Sequence, residues 1–224
     1  MEYKVKDVIK VIEDFAPLSL QEGWDNSGLC IGSPEDAVSS VLFGLDCTPE
    51  LVDEAVACGA DMIVTHHPLI FSGLKKISPD NKVGEAVIKA IRSGISIYAA
   101  HTSADKVIAG VSGAMAAKLG LVNVGILDED GEGTGLGVVG DLSEPLSADE
   151  AVSLVKERFA LKALRTKASG RQDHKSRDVR RFRQFAHRCR KEIRSPALHQ
   201  RGHLIPSFLH GRWLYDNGYR PLRE

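Results

Sequence analysis

The sequence predicts an α/β fold, a mainly parallel sheet with flanking helices. Short apolar runs of strand length alternate with segments whose apolar residues recur at helical spacing, in β-α-β-α-β order. Cap and stop residues bracket the helical segments, which fixes where each one turns back toward the sheet. A third observation limits how far this fold extends. Up to Thr166 the chain carries 14 Lys and Arg against 25 Asp and Glu (net −11), whereas the last 58 residues carry 15 against 5 (net +10). The overall charge of −1 over 224 residues therefore conceals two regions. Residues 1–166 read as an α/β region, and 167–224 as a basic tail rich in arginine and histidine.

The elements follow in order. Val5 to Phe15 places Val8, Ile9, Val11, Ile12 and Phe15 on one helical stripe that stops at Pro17. Val41 to Leu45 is an apolar run suited to a buried strand. Thr48-Pro49-Glu50 supplies a cap and a proline at the first helical position, opening a helix that runs to about Cys58 and is closed by Gly59. Asp61 to Thr65 is the next strand. Val83 to Arg92 forms a helix closed by Ser93-Gly94, Ile95 to Ala99 a third strand, and Val111 to Leu119 a helix ended by Gly120. A glycine-rich stretch, Gly125 to Gly140, leads to a last strand, followed by a helix from Ala148 to Phe159 capped near Ser147.

With 43% apolar residues, the composition is that of a globular chain rather than a disordered one. There is no run of ~18 consecutive apolar residues. Met1 to Asp7 is charged with no apolar segment behind it, so neither a membrane span nor a secretory signal is expected, and the protein is expected to be cytoplasmic. Cys30, Cys47, Cys58 and Cys189 include no Cys-x-x-Cys pair and read as free thiols.

In an open parallel sheet, ligands collect beyond the carboxyl ends of the strands. Those ends are informative here. The second strand ends in Thr65-His66-His67-Pro68, and the third in Ala100-His101-Thr102-Ser103-Ala104-Asp105. Adjacent histidines on a regular strand face opposite sides, but at a strand end stopped by proline both can turn into one crevice. Neutral imidazoles with a carboxylate suit Zn, Mn, Fe or Ni, so His66, His67 and Asp105 read as half of a metal site. His101 is open to three roles: ligand, partner that orients a ligand, or general base acting as the catalytic proton carrier. Polar loop residues are the bland alternative; two such groups on neighbouring strand ends favour metal.

Weaker candidates surround these. Trp24-Asp25-Asn26-Ser27-Gly28 reads equally as a substrate-facing loop, with Trp24, Asp25 and Asn26 as binding residues, or as an Asx-turn. Asp46 is placed either to hydrogen-bond a ligand histidine or as an ordinary turn residue. Gly131 to Gly137 has G-x-G spacing without the preceding strand of a dinucleotide site, and reads as a flexible turn. No G-x-S-x-G elbow supports serine hydrolase chemistry.

At these residues the sequence resembles the dinuclear-metal proteins called GTP cyclohydrolase 1 type 2 homologues, also known as the Ngg-interacting-factor-three-like family. The resemblance is carried by Gly23-Trp24-Asp25-Asn26-Ser27-Gly28-Leu29, by Ala60-Asp61-Met62-Ile63-Val64-Thr65-His66-His67-Pro68-Leu69 and by Tyr98-Ala99-Ala100-His101-Thr102-Ser103-Ala104-Asp105. It spans residues 1 to about 166 and implies a two-lobed α/β fold whose second lobe is incomplete here. It implies two divalent ions per subunit, His66 binding one and His67 and Asp105 the other. A toroidal homohexamer is implied too, with metals facing its interior, and an activity poorly settled despite the name.

The family completes its site with a C-terminal Gly-His-x-x-x-Glu motif, whose glutamate bridges both ions. Here Gly202-His203 is followed by Ser207 where that glutamate would stand. Back-translating Gly202 to Glu224 and reading one nucleotide later permits a peptide ending Asp-Ile-Gly-His-Tyr-Glu. The same shift from Arg171 permits Asp-Arg-Ile-Thr-Lys-Val-Ala-Met-Tyr-Gly-Gly-Ser-Gly-Ser, a strand and glycine turn in family order. The tail is therefore expected to be an out-of-frame translation following a one-base frameshift near residues 166–171. Little tertiary contact is expected over 171–224, apart from an isolated helix over Arg180 to Arg194.

Three functions compete. The first is a metal-dependent hydrolase acting on a nucleotide-like or other small-molecule substrate, impaired in this chain because the bridging carboxylate is missing. The second is a non-enzymatic metal-binding adaptor or scaffold oligomer. The third takes the tail as a nucleic-acid-binding arm, with Phe182, Phe185, Trp213 and Tyr215 among its cations. The first is preferred, with no membrane or nucleic-acid partner.

Overall fold

The computed structural model describes residues 2–164 and, beyond them, the backbone of three short strands. The elements in order are β1 (Tyr3–Lys4), α1 (Val5–Phe15), β2 (Gly28–Ile31), β3 (Ala37–Val38), β4 (Val41–Asp46), α2 (Pro49–Cys58), β5 (Met62–His67), α3 (Lys82–Arg92), β6 (Ser96–Ala99), α4 (Thr102–Lys106), α5 (Val111–Leu119), β7 (Val122–Gly131), β8 (Thr134–Leu146), α6 (Ala148–Arg158), β9 (Val179–Gln184), β10 (Phe208–Leu209) and β11 (Arg212–Trp213), with a 3-10 turn at Leu18–Leu20. They fall into two compact units, residues 1–107 and 108–224.

The first unit is built on a four-stranded sheet in the order β2-β6-β5-β4. β4, β5 and β6 are parallel, while β2 runs antiparallel to β6 along the edge. Both faces of β6 and of β5 up to Thr65 are buried, as strands covered by helices require, while β4 leaves Phe43 and Leu45 exposed. Ile63 and Ile97 point into a core with Val52 and Ala55 of α2 and Ala86, Val87 and Ala90 of α3. One residue along each strand, Met62, Val64 and Tyr98 face Val5, Val8, Ile9 and Ile12 of α1. Ile63 and Ile97 are wholly buried, and truncating either to alanine would cost about 2–5 kcal/mol.

Local chemistry sets the helix ends. The Asp7 carboxylate accepts the Lys4 amide at 2.8 Å at the start of α1. Thr48 Oγ1 accepts the Leu51 amide at 3.2 Å ahead of Pro49, and Gly59 ends α2 at φ 69°. Asn81 Oδ1 accepts the Gly84 amide at 2.9 Å and starts α3. The five helices predicted between Val5 and Phe159 appear within a residue of their expected bounds. The second strand runs to His67 rather than Thr65, so both histidines are strand residues.

The second unit centres on antiparallel β7 and β8, with β9 on the other edge of β8. Its core is Ala116, Leu119, Leu121, Val138, Ala151 and Val155, drawn from α5, α6 and the sheet. The flexible turn expected over Gly131 to Gly137 is confined to residues 132–133, since β7 runs to Gly131 and β8 begins at Thr134. A Cβ on Gly135 would lie 2.2 Å from the Asp128 carbonyl oxygen, so its glycine permits close approach of the two strands rather than flexibility.

Of the helix expected over Arg180 to Arg194, residues 180–184 are strand instead, and the rest lies outside the described residues. Residues 179–184 pair with β8 in a register running from Val138 opposite Gln184 to Leu146 opposite Val179. An edge strand offers a row of backbone donors and acceptors, which extended chain can satisfy whatever its helix propensity. This pairing also departs, over residues 179–184, from the expectation of little tertiary contact across 171–224; the remaining expectations for the tail lie outside the described residues. Among the described residues no helix is long and apolar enough to cross a membrane. Cys30, Cys47 and Cys58 are free thiols, and burial pushes Cys30 up to about 11 and Cys47 up to about 12.

Candidate metal centre

The three parallel strands deliver their last residues to one end of the sheet. Asp46 ends β4 in register with His67, the last residue of β5. β6 stops at Ala99, and His101 follows two residues later as the cap of α4. Because β2 is antiparallel and starts with Gly28 opposite Ala99, the loop before it reaches this same end. Gly28 has φ 113°, which lets the chain turn from that loop into the strand.

The side chains converge accordingly. The His66 and His67 rings lie 4.8 Å apart, and His101 lies 5.3 Å from the first and 5.5 Å from the second. One ligand nitrogen from each of the three falls within 4.8 Å of the others. Two of these rings are held by carboxylates. His67 Nδ1 donates to Asp46 Oδ1 at 2.7 Å, and His101 Nδ1 donates to Asp25 Oδ1 at 2.7 Å. With Nδ1 carrying the proton, Nε2 becomes the basic nitrogen of each ring, the tautomer a metal requires.

Asp25 is the more deeply set of the two carboxylates. Its side chain has no exposed surface, and it also accepts from the Thr102 amide at 3.1 Å, the Thr102 hydroxyl, Ser27 Oγ at 2.8 Å and the Asn26 amide at 2.7 Å. Burial pushes its carboxyl up, but the hydrogen bonds from His101, Thr102 and Ser27 outweigh it and hold the group well below the usual range. Ser27 Oγ in turn accepts the His101 amide at 3.2 Å.

Asp105 contrasts with this. The residue is 1% exposed, and neither carboxylate oxygen has a hydrogen-bond partner. His66 Nε2 lies 3.6 Å from its Oδ1. Burial pushes its carboxyl up to about 7; His101 pulls it down and Asp25 adds to the rise. A buried carboxylate without donors is costly unless a cation meets it, and the His66 nitrogen beside it belongs to a cluster of three imidazoles, a donor type that divalent transition metals favour. The residues present therefore fit a metal ion.

Of the residues singled out in the sequence, the structure brings together His66, His67, His101 and Asp105. Asp25 stands behind His101 rather than facing solvent, and the Asn26 side chain donates to the Ile70 carbonyl at 2.6 Å. Trp24 lies at the rim, its ring 6.2 Å from His101. Of the two readings open for Asp46, the histidine partner is the one observed. Phe71, 6.4 Å from His101, was not singled out; its position in a short apolar run after Pro68 was the available signal.

Residues 3–180 match the family model for Duf34/NIF3 (NGG1p interacting factor 3). The GTP cyclohydrolase 1 type 2 homolog of Clostridium acetobutylicum is 39% identical over 168 residues, covering 74% of this chain and 63% of that protein. The homolog of the same name in Clostridium perfringens is 38% identical over 165 residues, covering 72% and 63%. The chain thus spans less than two thirds of the length of these relatives. Among solved structures, a Staphylococcus aureus hypothetical protein aligns with a TM-score of 0.73 at 26% identity, covering 82% of this chain and 71% of that one. Reduced HcgD from Methanocaldococcus jannaschii aligns with a TM-score of 0.69 at 25% identity, covering 83% and 70%.

Proposed function

Because the chain belongs to the Duf34/NIF3 (NGG1p interacting factor 3) family, we propose that it binds divalent metal at His66, His67, His101 and Asp105 and uses that site to hydrolyse a small-molecule substrate. The single observation that carries this reading is the cluster of three converging imidazoles, one of which, His66, lies 3.6 Å from the Asp105 carboxylate buried without a hydrogen bond. The family resemblance implies two ions, which His66, His67 and Asp105 would hold; in this structure it is His66 that lies beside Asp105, at 3.6 Å. A divalent ion there supplies an activated water and a Lewis acid for the substrate oxygen.

The chain's own groups do the rest. Asp46 and Asp25 fix the tautomers of His67 and His101, so that neither ring must reorient when substrate arrives. His101, gripped at Nδ1 by Asp25, would use Nε2 to ligate or to take and return a proton. The nearly complete burial of His101 and Asp105 keeps bulk water from competing for those positions. Turnover falls below that of a relative carrying the Gly-His-x-x-x-Glu motif, since without a bridging carboxylate nothing offsets the repulsion between two neighbouring cations. Assembly into a homohexamer is part of the same reading.

Elemental analysis of protein purified without added metal or chelator tests it. Bound divalent metal that disappears in Asp105→Ala is the expected result; a wild-type chain without metal affinity overturns the reading. A metal-loaded chain lacking metal-dependent hydrolysis of any nucleotide or phosphoester tested would remove the hydrolase and leave the metal site.

A further inference from the structure

The Asp25 carboxylate accepts from both sides. The Asn26 amide and His101 Nδ1 reach Oδ1, each at 2.7 Å, while the Thr102 amide, the Thr102 hydroxyl and the Ser27 hydroxyl reach Oδ2. The two hydroxyls differ from the other donors, because a hydroxyl both donates and accepts and can point either way. A backbone amide behind each one removes that choice. The Glu22 amide donates to Thr102 Oγ1 at 2.9 Å, and the His101 amide donates to Ser27 Oγ at 3.2 Å. An amide can only donate, so each hydroxyl accepts on that side and turns its own proton toward Asp25. Thr102 is wholly buried, with no bulk water to offer it another partner.

From this arrangement we infer that Thr102 and Ser27 are positioning residues of the metal centre, whose paired hydroxyls anchor Asp25 Oδ2 so that Oδ1 holds the His101 ring with Nε2 bare. The inference rests on the metal site proposed above and concerns how that site is set rather than what it hydrolyses. A carboxylate offers about four lone-pair positions, and the donors gathered here leave none for a proton. The proton between Asp25 and His101 therefore stays on Nδ1. The donors to Oδ2 come from two separate segments, the loop before β2 and the start of α4, so the carboxylate cannot rotate without breaking bonds to both. Lys106 Nζ, 2.9 Å from Glu22 Oε1, ties the same two segments one turn further along α4 and keeps the Glu22 amide over Thr102. Without the two hydroxyls Oδ2 retains a single amide, Asp25 is free to swing, and the ring loses what selects one tautomer.

The test compares the full chain with a double variant, Ser27→Ala with Thr102→Val, in which valine keeps the shape of threonine, and with Thr102→Ser, which keeps the hydroxyl. Magic-angle-spinning NMR of metal-free protein labelled with nitrogen-15 histidine reads the tautomer, the His101 signals being those absent from His101→Gln. Competition with a chromophoric chelator reads zinc affinity. Wild type and Thr102→Ser should show His101 protonated at Nδ1 alone. The double variant should show both tautomers and bind zinc about tenfold more weakly. His67, held by Asp46, should keep its Nδ1 proton in every chain. His101 protonated at Nδ1 alone in the double variant, or zinc affinity equal to that of wild type, overturns the inference. A Thr102→Ser chain that behaves like the double variant overturns it too, since the methyl group rather than the hydroxyl would then matter. Should the double variant fail to fold by circular dichroism, Ser27→Ala alone decides at a half-buried position: a mixed His101 tautomer and about a threefold loss of zinc affinity are expected, and parental behaviour overturns the inference. A wild-type chain with no zinc affinity would defeat the metal reading, while the tautomers still decide what the hydroxyls do for Asp25.

Discussion

The two ends of the first unit's sheet use carboxylates in opposite ways. At the amino end, Asp61 accepts three hydrogen bonds at one oxygen, from the Ser39 amide and hydroxyl at 2.7 Å and the Ser40 amide at 3.0 Å. Asp36 there accepts the Ser33 amide at 2.7 Å and Ser96 Oγ at 3.3 Å. Each charge is met by donors that the fold itself supplies, and the result is a fastened turn. At the carboxyl end, Asp105 is buried with no donor at all, while Asp46 and Asp25 each accept from a histidine, Asp25 from backbone amides and hydroxyls as well. Balanced carboxylates mark structure; an unbalanced one, paid for by the rest of the fold, marks a position kept for something not part of the chain.

The sharpest way to break this comparison is Asp105→Ala. Metal affinity, read by competition with a chromophoric chelator, should fall by more than about 100-fold, since a ligand is lost rather than merely reoriented. The thermal midpoint of the metal-free protein should not fall, because the deleted group had no hydrogen bonds to lose. A lower midpoint would show that Asp105 belongs with the structural carboxylates after all.

Asp25→Asn comes next. Losing the partner that fixes the His101 tautomer should reduce metal affinity about 10- to 100-fold. It should also cost roughly 3 kcal/mol of stability in chemical denaturation, because a buried, multiply bonded carboxylate is replaced by a group that cannot accept at every position. Asp46→Asn should act in the same sense and less strongly, about tenfold on metal, because its side chain is 31% exposed and water replaces part of what it supplies. Equal effects from the two variants would mean that burial does not separate them.

The smallest effect, and the control for the other end, is Asp61→Ala. It should leave metal affinity unchanged and cost about 1 kcal/mol. The Ser39 and Ser40 hydrogen bonds hold the Asp61 carboxyl below its ordinary value. A depressed folded-state value means that this contribution is fully present above about pH 4 and is lost as the pH falls through the folded value. Urea midpoints of wild type and variant should therefore differ at neutral pH and converge below about pH 4.

Much of this arrangement was legible before the fold was known, because its signals are local. Thr48, Pro49 and Gly59 delimit α2 through contacts within a few residues, and the run Thr65-His66-His67-Pro68 announces a strand stopped at a polar pair. What escaped is what long-range geometry decides. β2 is a short edge strand, and nothing in Gly28 to Ile31 says which way it pairs. Its direction is what carries Asp25 to His101, so that partnership was invisible along with it. Gly135 looked like part of a loose turn because a glycine needed for strand contact and a glycine needed for flexibility are spelled alike. Phe71 escaped for the same reason as Asp25: the distance between a loop after β5 and a loop before β2 is not written in either segment.

The Asp25–His101 contact joins positions 76 residues apart. No helix or hairpin can form it early, since it exists only when the chain has closed a loop of that length and zipped β2 against β6. The helices of this unit can assemble on faster clocks from neighbouring residues. During refolding, helical signal should therefore return before high-affinity metal capture, and the interval between the two measures how long the edge strand takes to find its place.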